Sequence, residues 1–119
     1  MKYILLIHDD PAVWAKFSES ERTNIMGEYG RFSEEIRSGG HFVGGAQLQP
    51  TTAATSVRVR DGKRLVVDGP FAETREQLGG YYLVDVPNLD QAIAIAARIP
   101  SARFGTVEVR PLVERPASV

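Results

Sequence analysis

The first strand of this chain constrains its fold most strongly, because it is apolar on both of its alternating faces. Lys2 to His8 reads KYILLIH, in which every residue from position 3 to position 7 is apolar. Successive strand residues point to opposite sides of a sheet, so such a strand lies centrally and is covered on both sides. The predicted strand Tyr81 to Val86 has the same property. A sheet containing both strands therefore needs a cover on each face.

Two helices can cover one of these faces. Ser18 stands three residues before Glu21, which is the spacing of a capping box, and apolar residues then recur at helical spacing. This helix is predicted to end at Gly39-Gly40, because glycine takes the left-handed conformation of a C-cap. Asn88 is predicted to cap a second helix that Pro100 ends. Its predicted buried stripe consists of Leu89, Ala92, Ile93, Ala96 and Ile99.

Residues 55–68 predict a β-hairpin around Asp61-Gly62. A two-residue loop would place Arg64 on the same face as the valines of the first hairpin strand. A three-residue loop, either 60–62 or 61–63, separates the valines from the arginines, so we predict a three-residue loop. The stretch from His41 to Ala54 is predicted to be looser chain.

The predicted order is strand, helix, three strands, helix, strand. This order indicates an α+β fold with a ferredoxin-like antiparallel sheet, two helices on one face and one added hairpin strand. A chain of 119 residues is enough for one domain. We assign that domain to residues 1–113 and a loose C-terminal tail to residues 114–119.

Composition excludes several classes of site and partner. The chain has no cysteine, which excludes zinc-cysteine sites, iron-sulfur clusters, disulfides and thiol nucleophiles. The formal net charge of -1 and the lack of a basic block predict no nucleic-acid partner. The apolar N-terminal run is too short for a signal peptide or a membrane span, so we predict a cytoplasmic protein without a membrane partner. The two histidines lack metal-ligand spacing and the glycine pairs match no phosphate-binding pattern, so no metal and no cofactor are predicted.

The sharpest local motif is the DGPF sequence at residues 68–71. Pro70 keeps Gly69 out of the helical region, which leaves Asp68 beside a sharp bend. In one interpretation Asp68 is a general base or acid that Glu73 assists. In the other, Asp68 caps the turn by accepting bonds from backbone N–H groups, and turn chemistry of this kind is the commoner case.

Two further groups are candidates for a site. His8 ends the first strand and is followed by two acids, so it can act as an acid or base, although a hydrogen-bonded strand-end histidine is the commoner case. Arg58 and Arg110 can hold the carboxylate of a substrate, with Phe71 as an apolar contact. The alternative for the arginines is a solvated face.

Three segments together resemble the YCII-related family, and specifically its DGPF branch. They read KYILLI at residues 2–7, DGPFAETREQLGGYYL at residues 68–83 and VEVRP at residues 107–111. The resemblance spans about residues 1 to 113. It implies a ferredoxin-like fold in which two chains join their sheets into a dimeric α/β barrel. A homodimer would also cover the bare face of the sheet, and C₂ symmetry is the commonest arrangement.

The resemblance also implies two functions. Members of the wider family resemble muconolactone dehydrochlorinases, which implies an acid/base lyase or isomerase acting on a small acidic or lactone metabolite. The proposed His-Asp pair of that family has its histidine on the first helix, and residues 18–38 contain none. Asp68, Glu73 and His8 are therefore substitute candidates. Members of the DGPF branch often accompany extracytoplasmic-function sigma factors, which implies the alternative of a non-catalytic ligand-binding or regulatory dimer.

Overall fold

The computed structural model describes residues 1–115, which form a four-stranded antiparallel sheet, α-helices on one side of it and a separate hairpin. The elements in chain order are β1 (Lys2–Asp9), α1 (Pro11–Lys16), α2 (Glu19–Ser38), β2 (Phe42–Gln47), β3 (Thr55–Arg60), β4 (Lys63–Asp68), β5 (Gln77–Asp85), α3 (Leu89–Ala97) and β6 (Thr106–Pro111). Short 3₁₀ turns occupy Thr51–Ala53 and Pro100–Arg103. Of the predicted C-terminal tail, residues 116–119 lie outside the described residues.

The sheet has the strand order β2-β5-β1-β6, with antiparallel pairing throughout. The first strand is central, as predicted, because β1 pairs with β5 on one side and β6 on the other. This order and the connecting helices are compatible with the ferredoxin-like plan. The α+β class with an antiparallel sheet is confirmed.

The core lies between one face of the sheet and the helices α2 and α3. Burial along β1 alternates, and Tyr3, Leu5 and Ile7 belong to the same buried cluster as the inward residues of both helices. Ile4 and Leu6 point to the opposite side, which we call the open face, and are only partly buried. No helix within residues 1–115 is both long enough and apolar enough to cross a membrane.

The predicted residues at the start and end of α2 have the predicted roles. Ser18 Oγ accepts from the Glu21 backbone N–H at 3.1 Å, and the Glu21 carboxylate accepts from the Ser18 N–H at 2.9 Å. Gly40, just after α2, has a φ of 78°. In α3 the predicted stripe is partly wrong, because Ile95 is buried while Leu89 and Ile93 are exposed. The helix presents a narrower apolar face than five spaced residues suggested.

The hairpin corrects the loop prediction. Arg60 pairs directly with Lys63, so the loop contains two residues, Asp61 and Gly62, with φ values of 52° and 73°. These are the left-handed conformations of a type I′ turn, which matches the natural twist of a hairpin. The three-residue loop was predicted to keep Arg64 off a buried face. Both strands are exposed almost throughout, however, so placing Arg64 beside valines carries no burial cost.

The fourth sheet strand, β2, lies in the stretch that was predicted to be loose chain. Its sequence FVGGAQ has weak strand propensity, and its place is set by close approach to β5. A Cβ at Gly45 would lie 2.9 Å from the Tyr81 carbonyl oxygen, and one at Gly80 would lie 2.9 Å from the Ala46 carbonyl oxygen. The predicted hairpin strands therefore form a separate arm, and a glycine-rich strand takes the edge position in the sheet.

Gly105 provides a test of the packing at the end of β1. A Cβ at this position would overlap the carbonyl oxygen of His8 and lie 3.1 Å from the Asp9 Cβ, so the backbone must move to admit it. We expect Gly105→Ala to lower the free energy of unfolding in urea by about 1–3 kcal/mol. Gly27→Ala in α2 is the control, because a Cβ there would meet no atom closer than 3.7 Å. This substitution should stabilise the helix by about 0.5–1 kcal/mol. Equal stability of the two variants would contradict this packing.

Candidate functional site

A cleft of about 690 Å³ opens between α2 and the β2 edge of the sheet, on the same side as the helices. We call it the α2 cleft. Its lining comes from the end of β1, α1, α2, β2 with the turn after it, and the first half of β5. A cavity of this size is typical of small-molecule sites, which combine apolar walls with a few convergent polar groups.

Small residues keep the α2 cleft open. Gly45 and Gly80 lie on the lining strands, where the close approach of β2 and β5 leaves no room for side chains. Gly30 lies opposite on α2, and a Cβ there would meet no atom within 4 Å. Glycines therefore lie on both walls of the cleft.

A directed chain of hydrogen bonds ends on the Asp9 carboxylate, which lines the cleft. Tyr29 Oη and Ser101 Oγ are 2.5 Å apart, and Ser101 Oγ lies 3.3 Å from Asp9 Oδ2. An ionised carboxylate can only accept hydrogen bonds, so the Ser101 hydroxyl donates its one proton to Asp9. Ser101 then accepts the hydrogen bond that the Tyr29 hydroxyl donates. Ser101 is fully buried, and both of its hydrogen-bonding roles are met within this chain.

The second oxygen of Asp9 lies beside a residue without a side chain. Asp9 Oδ1 is 3.3 Å from the position that a Cβ on Gly79 would occupy. Gly79 also lines the cleft, so the side of Oδ1 that faces Gly79 meets no side chain from that residue. Ser101 therefore holds one oxygen of Asp9, and the other lies beside a residue without a side chain.

Two other hydroxyl groups lie on the facing walls. Ser33 Oγ from α2 and Tyr82 Oη from β5 are 2.7 Å apart, and either can donate the hydrogen bond.

Burial raises the pKa of Tyr29 above its ordinary value, and the nearby negative charge of Asp9 also raises it, although the Ser101 contacts lower it in part. Tyr29 is thus held as a neutral hydroxyl donor at ordinary pH.

The structure places two of the predicted site residues together on the open face. His8 Nε2 lies 3.3 Å from Glu108 Oε1, and Glu108 also pairs with Arg110. The Arg110 hydrogen bond lowers the pKa of Glu108, and His8 adds a smaller effect in the same direction. The link between His8 and Arg110 is therefore Glu108, a residue that the sequence reading did not select.

The other four predicted site residues lie on the hairpin and the connector after it. Asp68 is the exposed last residue of β4, Arg58 is exposed on β3, and Phe71 is 83% exposed. Glu73 and Pro70 line a second, more open depression, which Thr51 and Gln77 also line. Within the described residues, none of the six predicted site residues lines the α2 cleft, and their functional roles stay predictions.

Asp9 and its partners were not selected from the sequence, although one signal for Asp9 was present. Alternation along β1 places Asp9 on the same side as Ile7, under the helices, and His8 on the other side. The motif at residues 8–10 was read as one cluster, which hid this division. Tyr29 belongs to an ordinary helical stripe of apolar residues, and no local pattern marks Ser101. In the described part of the chain no three His, Asp or Glu side chains come together as a metal site.

Comparison with known proteins identifies the family. A model of the YCII-related domain matches residues 1–115. The chain belongs to the YCII-related family. An uncharacterised protein of Rhizobium meliloti (strain 1021) is 39% identical over 114 residues, covering 94% of this chain and 92% of that relative. The family prediction made from three segments is confirmed.

The hydrogen bonds that link Tyr29 through Ser101 to Asp9 in this YCII-related protein can be tested by changing Tyr29. Its raised pKa means that folding favours the protonated phenol, so the stabilisation is complete below pH of about 10 and is lost as pH rises through the folded-state value. We expect Tyr29→Phe to remove a tyrosinate absorbance phase that lies above this ordinary value. The variant should also lose less stability than the parent in alkaline solution. Loss of a phase at or below the ordinary value would show that Tyr29 is not shielded.

Proposed function

We propose that this YCII-related chain binds a small organic acid or lactone in the α2 cleft and exchanges protons with it through Asp9. One observation carries the proposal: Asp9 lines the cleft with Oδ2 bonded to Ser101 and Oδ1 beside Gly79. A carboxylate held in this way has one oxygen oriented by Ser101 and a second oxygen for a ligand to reach beside Gly79. General acid/base catalysis requires such a group within reach of the proton that moves.

The surrounding hydroxyls suit this chemistry. Asp9 Oδ1 would remove a proton from the carbon beside a carbonyl. The electron pair of that C–H bond would form the C=C bond of an enolate, and the π pair of the carbonyl would move onto its oxygen. Ser33 and Tyr82 use one of their two hydroxyl protons between themselves, so the other can be donated to that oxygen. Protonated Asp9 then returns the proton to the same carbon or to another carbon of the enolate. These steps are those of an isomerase. In a lyase the enolate pair instead forms a double bond to the adjacent carbon, the leaving group departs with its bonding pair, and Asp9 gives its proton to that group or to water.

A second candidate function, a dimer that binds ligands or partners without catalysis, is favoured by apolar surface outside the cleft. Val57, Val59 and Val67 on the hairpin are each more than half exposed. On the open face, Leu6 lies opposite Tyr81 and both are only partly buried. A two-stranded hairpin that packs on nothing is marginally stable in water, so such an arm is expected to need a partner surface.

We infer that the partner is a second copy of this chain, packed open face to open face as a dimeric α/β barrel. The radius of gyration is 16.5 Å, above the value of about 13.5 Å expected for a compact chain of this length, which fits an arm that extends from the body. The open face contains apolar side chains from both central strands, as a covered sheet face requires. Association with an extracytoplasmic-function sigma factor stays a prediction from the family resemblance.

Proton exchange distinguishes the Asp9 assignment from the sequence-based choice of Asp68. The parent protein should speed exchange of the proton beside the carbonyl of an unsaturated five-membered lactone acid into heavy water, followed by proton NMR. We expect Asp9→Asn to reduce this rate by about 100-fold or more, the usual contribution of a general acid or base. Asp90→Asn, on the exposed surface of α3, is the matched control and should keep the parent rate.

Asp68→Asn completes the comparison. If the loss follows Asp68 and not Asp9, the sequence-based assignment is right and the cleft assignment is wrong. If the parent protein exchanges no proton in a panel of such lactone acids and open-chain keto acids, the catalytic proposal fails for this class of ligand.

Light scattering tests the inferred dimer. At micromolar concentration the parent should have twice the 13.1 kDa mass of one chain. Leu6→Glu places a charge on the open face and should yield monomers, whereas Leu89→Glu on the exposed side of α3 should leave the mass unchanged. A monomeric parent protein would overturn the inference, and so would a dimer that survives Leu6→Glu.

A further inference from the structure

The α2 cleft is electrically asymmetric. Within the described residues, its lining includes one cation, Arg37, and one anion, Asp9. The two charges come from different elements, the C-terminal end of α2 and the end of β1. A ligand in the cleft therefore meets a positive group at one position and a carboxylate at another.

The guanidinium of Arg37 is positioned by an aromatic ring. Its Cζ lies 4.6 Å from the centroid of Phe42, which also lines the cleft. Its ion-pair contact to Glu34 is long, at 3.9 Å, which is beyond hydrogen-bond distance. A planar guanidinium stacked on a ring keeps its N–H groups directed outward along the plane, where they can hold a carboxylate.

The length of the cleft along α2 follows from two residues of its lining, Tyr29 and Arg37. Tyr29, which is linked to Asp9 through Ser101, and Arg37 are eight residues apart on one helix. At 1.5 Å per residue their backbone positions are separated by about 12 Å. Ser33 lies midway between them and lines the same cleft. A ligand that fills the cleft from Tyr29 to Arg37 is therefore elongated.

The cleft volume and walls agree with an elongated ligand. A volume of about 690 Å³ is in the range of sites for drug-sized molecules, so the cleft has room for a chain beyond the reacting carbonyl group. Met26, Phe42 and Leu48 supply apolar wall. Apolar wall suits a hydrocarbon body, and a terminal carboxylate would be attracted by Arg37 and repelled by Asp9.

We propose that the α2 cleft takes an elongated amphipathic carboxylate, with its carboxylate on Arg37 and its apolar body reaching along α2 towards Asp9. This inference rests on the proposed function for the identity of the cleft and adds the class and length of its ligand. Asp9 then acts on a carbonyl that lies several carbon atoms away from the carboxylate. Arg37 therefore takes the carboxylate-binding role that the sequence reading gave to Arg58 and Arg110.

Binding of alkyl probes tests charge and length separately. Isothermal titration calorimetry would compare octanoate with 1-octanol, which share a chain and differ in charge, and then the series from butyrate to octanoate. We expect octanoate to bind at least about tenfold more tightly than 1-octanol, as a charge-assisted hydrogen bond provides. Each added methylene should strengthen binding by roughly three- to fourfold up to eight carbons.

Variants of α2 locate the effect. Arg37→Gln should abolish the preference for octanoate over 1-octanol and leave 1-octanol binding unchanged, while Arg37→Lys should keep most of that preference. Arg31→Gln is the matched control, because Arg31 is exposed on the same helix and is not part of the cleft lining. The proposal is overturned if Arg37→Gln binds octanoate as the parent does, if 1-octanol binds as tightly as octanoate, or if butyrate binds as tightly as octanoate.

Failure of this inference and failure of the proposed function give different results. If proton exchange depends on Asp9 while octanoate binding is unchanged in Arg37→Gln, the result supports the catalytic site and rejects the elongated carboxylate as its ligand. Octanoate binding that depends on Arg37, without exchange on any carbonyl acid of the panel, would keep the ligand class and reject catalysis by Asp9.

Discussion

Alternation along β1 is the constraint on which the rest of the structure depends. The strand is central in the sheet, and Tyr3, Leu5 and Ile7 pack beneath α2 and α3 with the rest of the core. Asp9 continues this same series, so the register that buries the core also delivers a carboxylate to the cleft. A slip by one residue would exchange the two faces and remove both.

The same alternation gives the open face a different composition. Ile4, Leu6 and His8 share this side, and His8 meets the Glu108 and Arg110 pair there. A polar group therefore stands at the end of a partly exposed apolar surface. In the proposed dimer this surface becomes the interface, while the α2 cleft remains on the helix side of each sheet. The two proposals thus assign ligand binding and assembly to opposite faces of one sheet.

Elements with a regular sequence pattern could be predicted from the sequence. Contacts between side chains that are distant in the chain could not. The central strand, the Ser18 capping box and the family all follow from local sequence, and each is confirmed. The hairpin loop was wrong because the parity argument assumed a buried face, and β2 was missed because its glycines carry no strand pattern. Ser101 lies 92 residues from Asp9 in the chain, so only the folded chain brings them together.

Mapping of a bound carboxylate on the folded protein tests the central claim, that the ligand site lies between α2 and β2. Backbone amide signals should be followed by two-dimensional NMR as octanoate is added to the parent protein. The account predicts that the shifted signals cluster along α2 from Tyr29 to Arg37, on β2, and around Asp9. Shifts confined to the open face around His8, or to the hairpin end around Asp68, would contradict it.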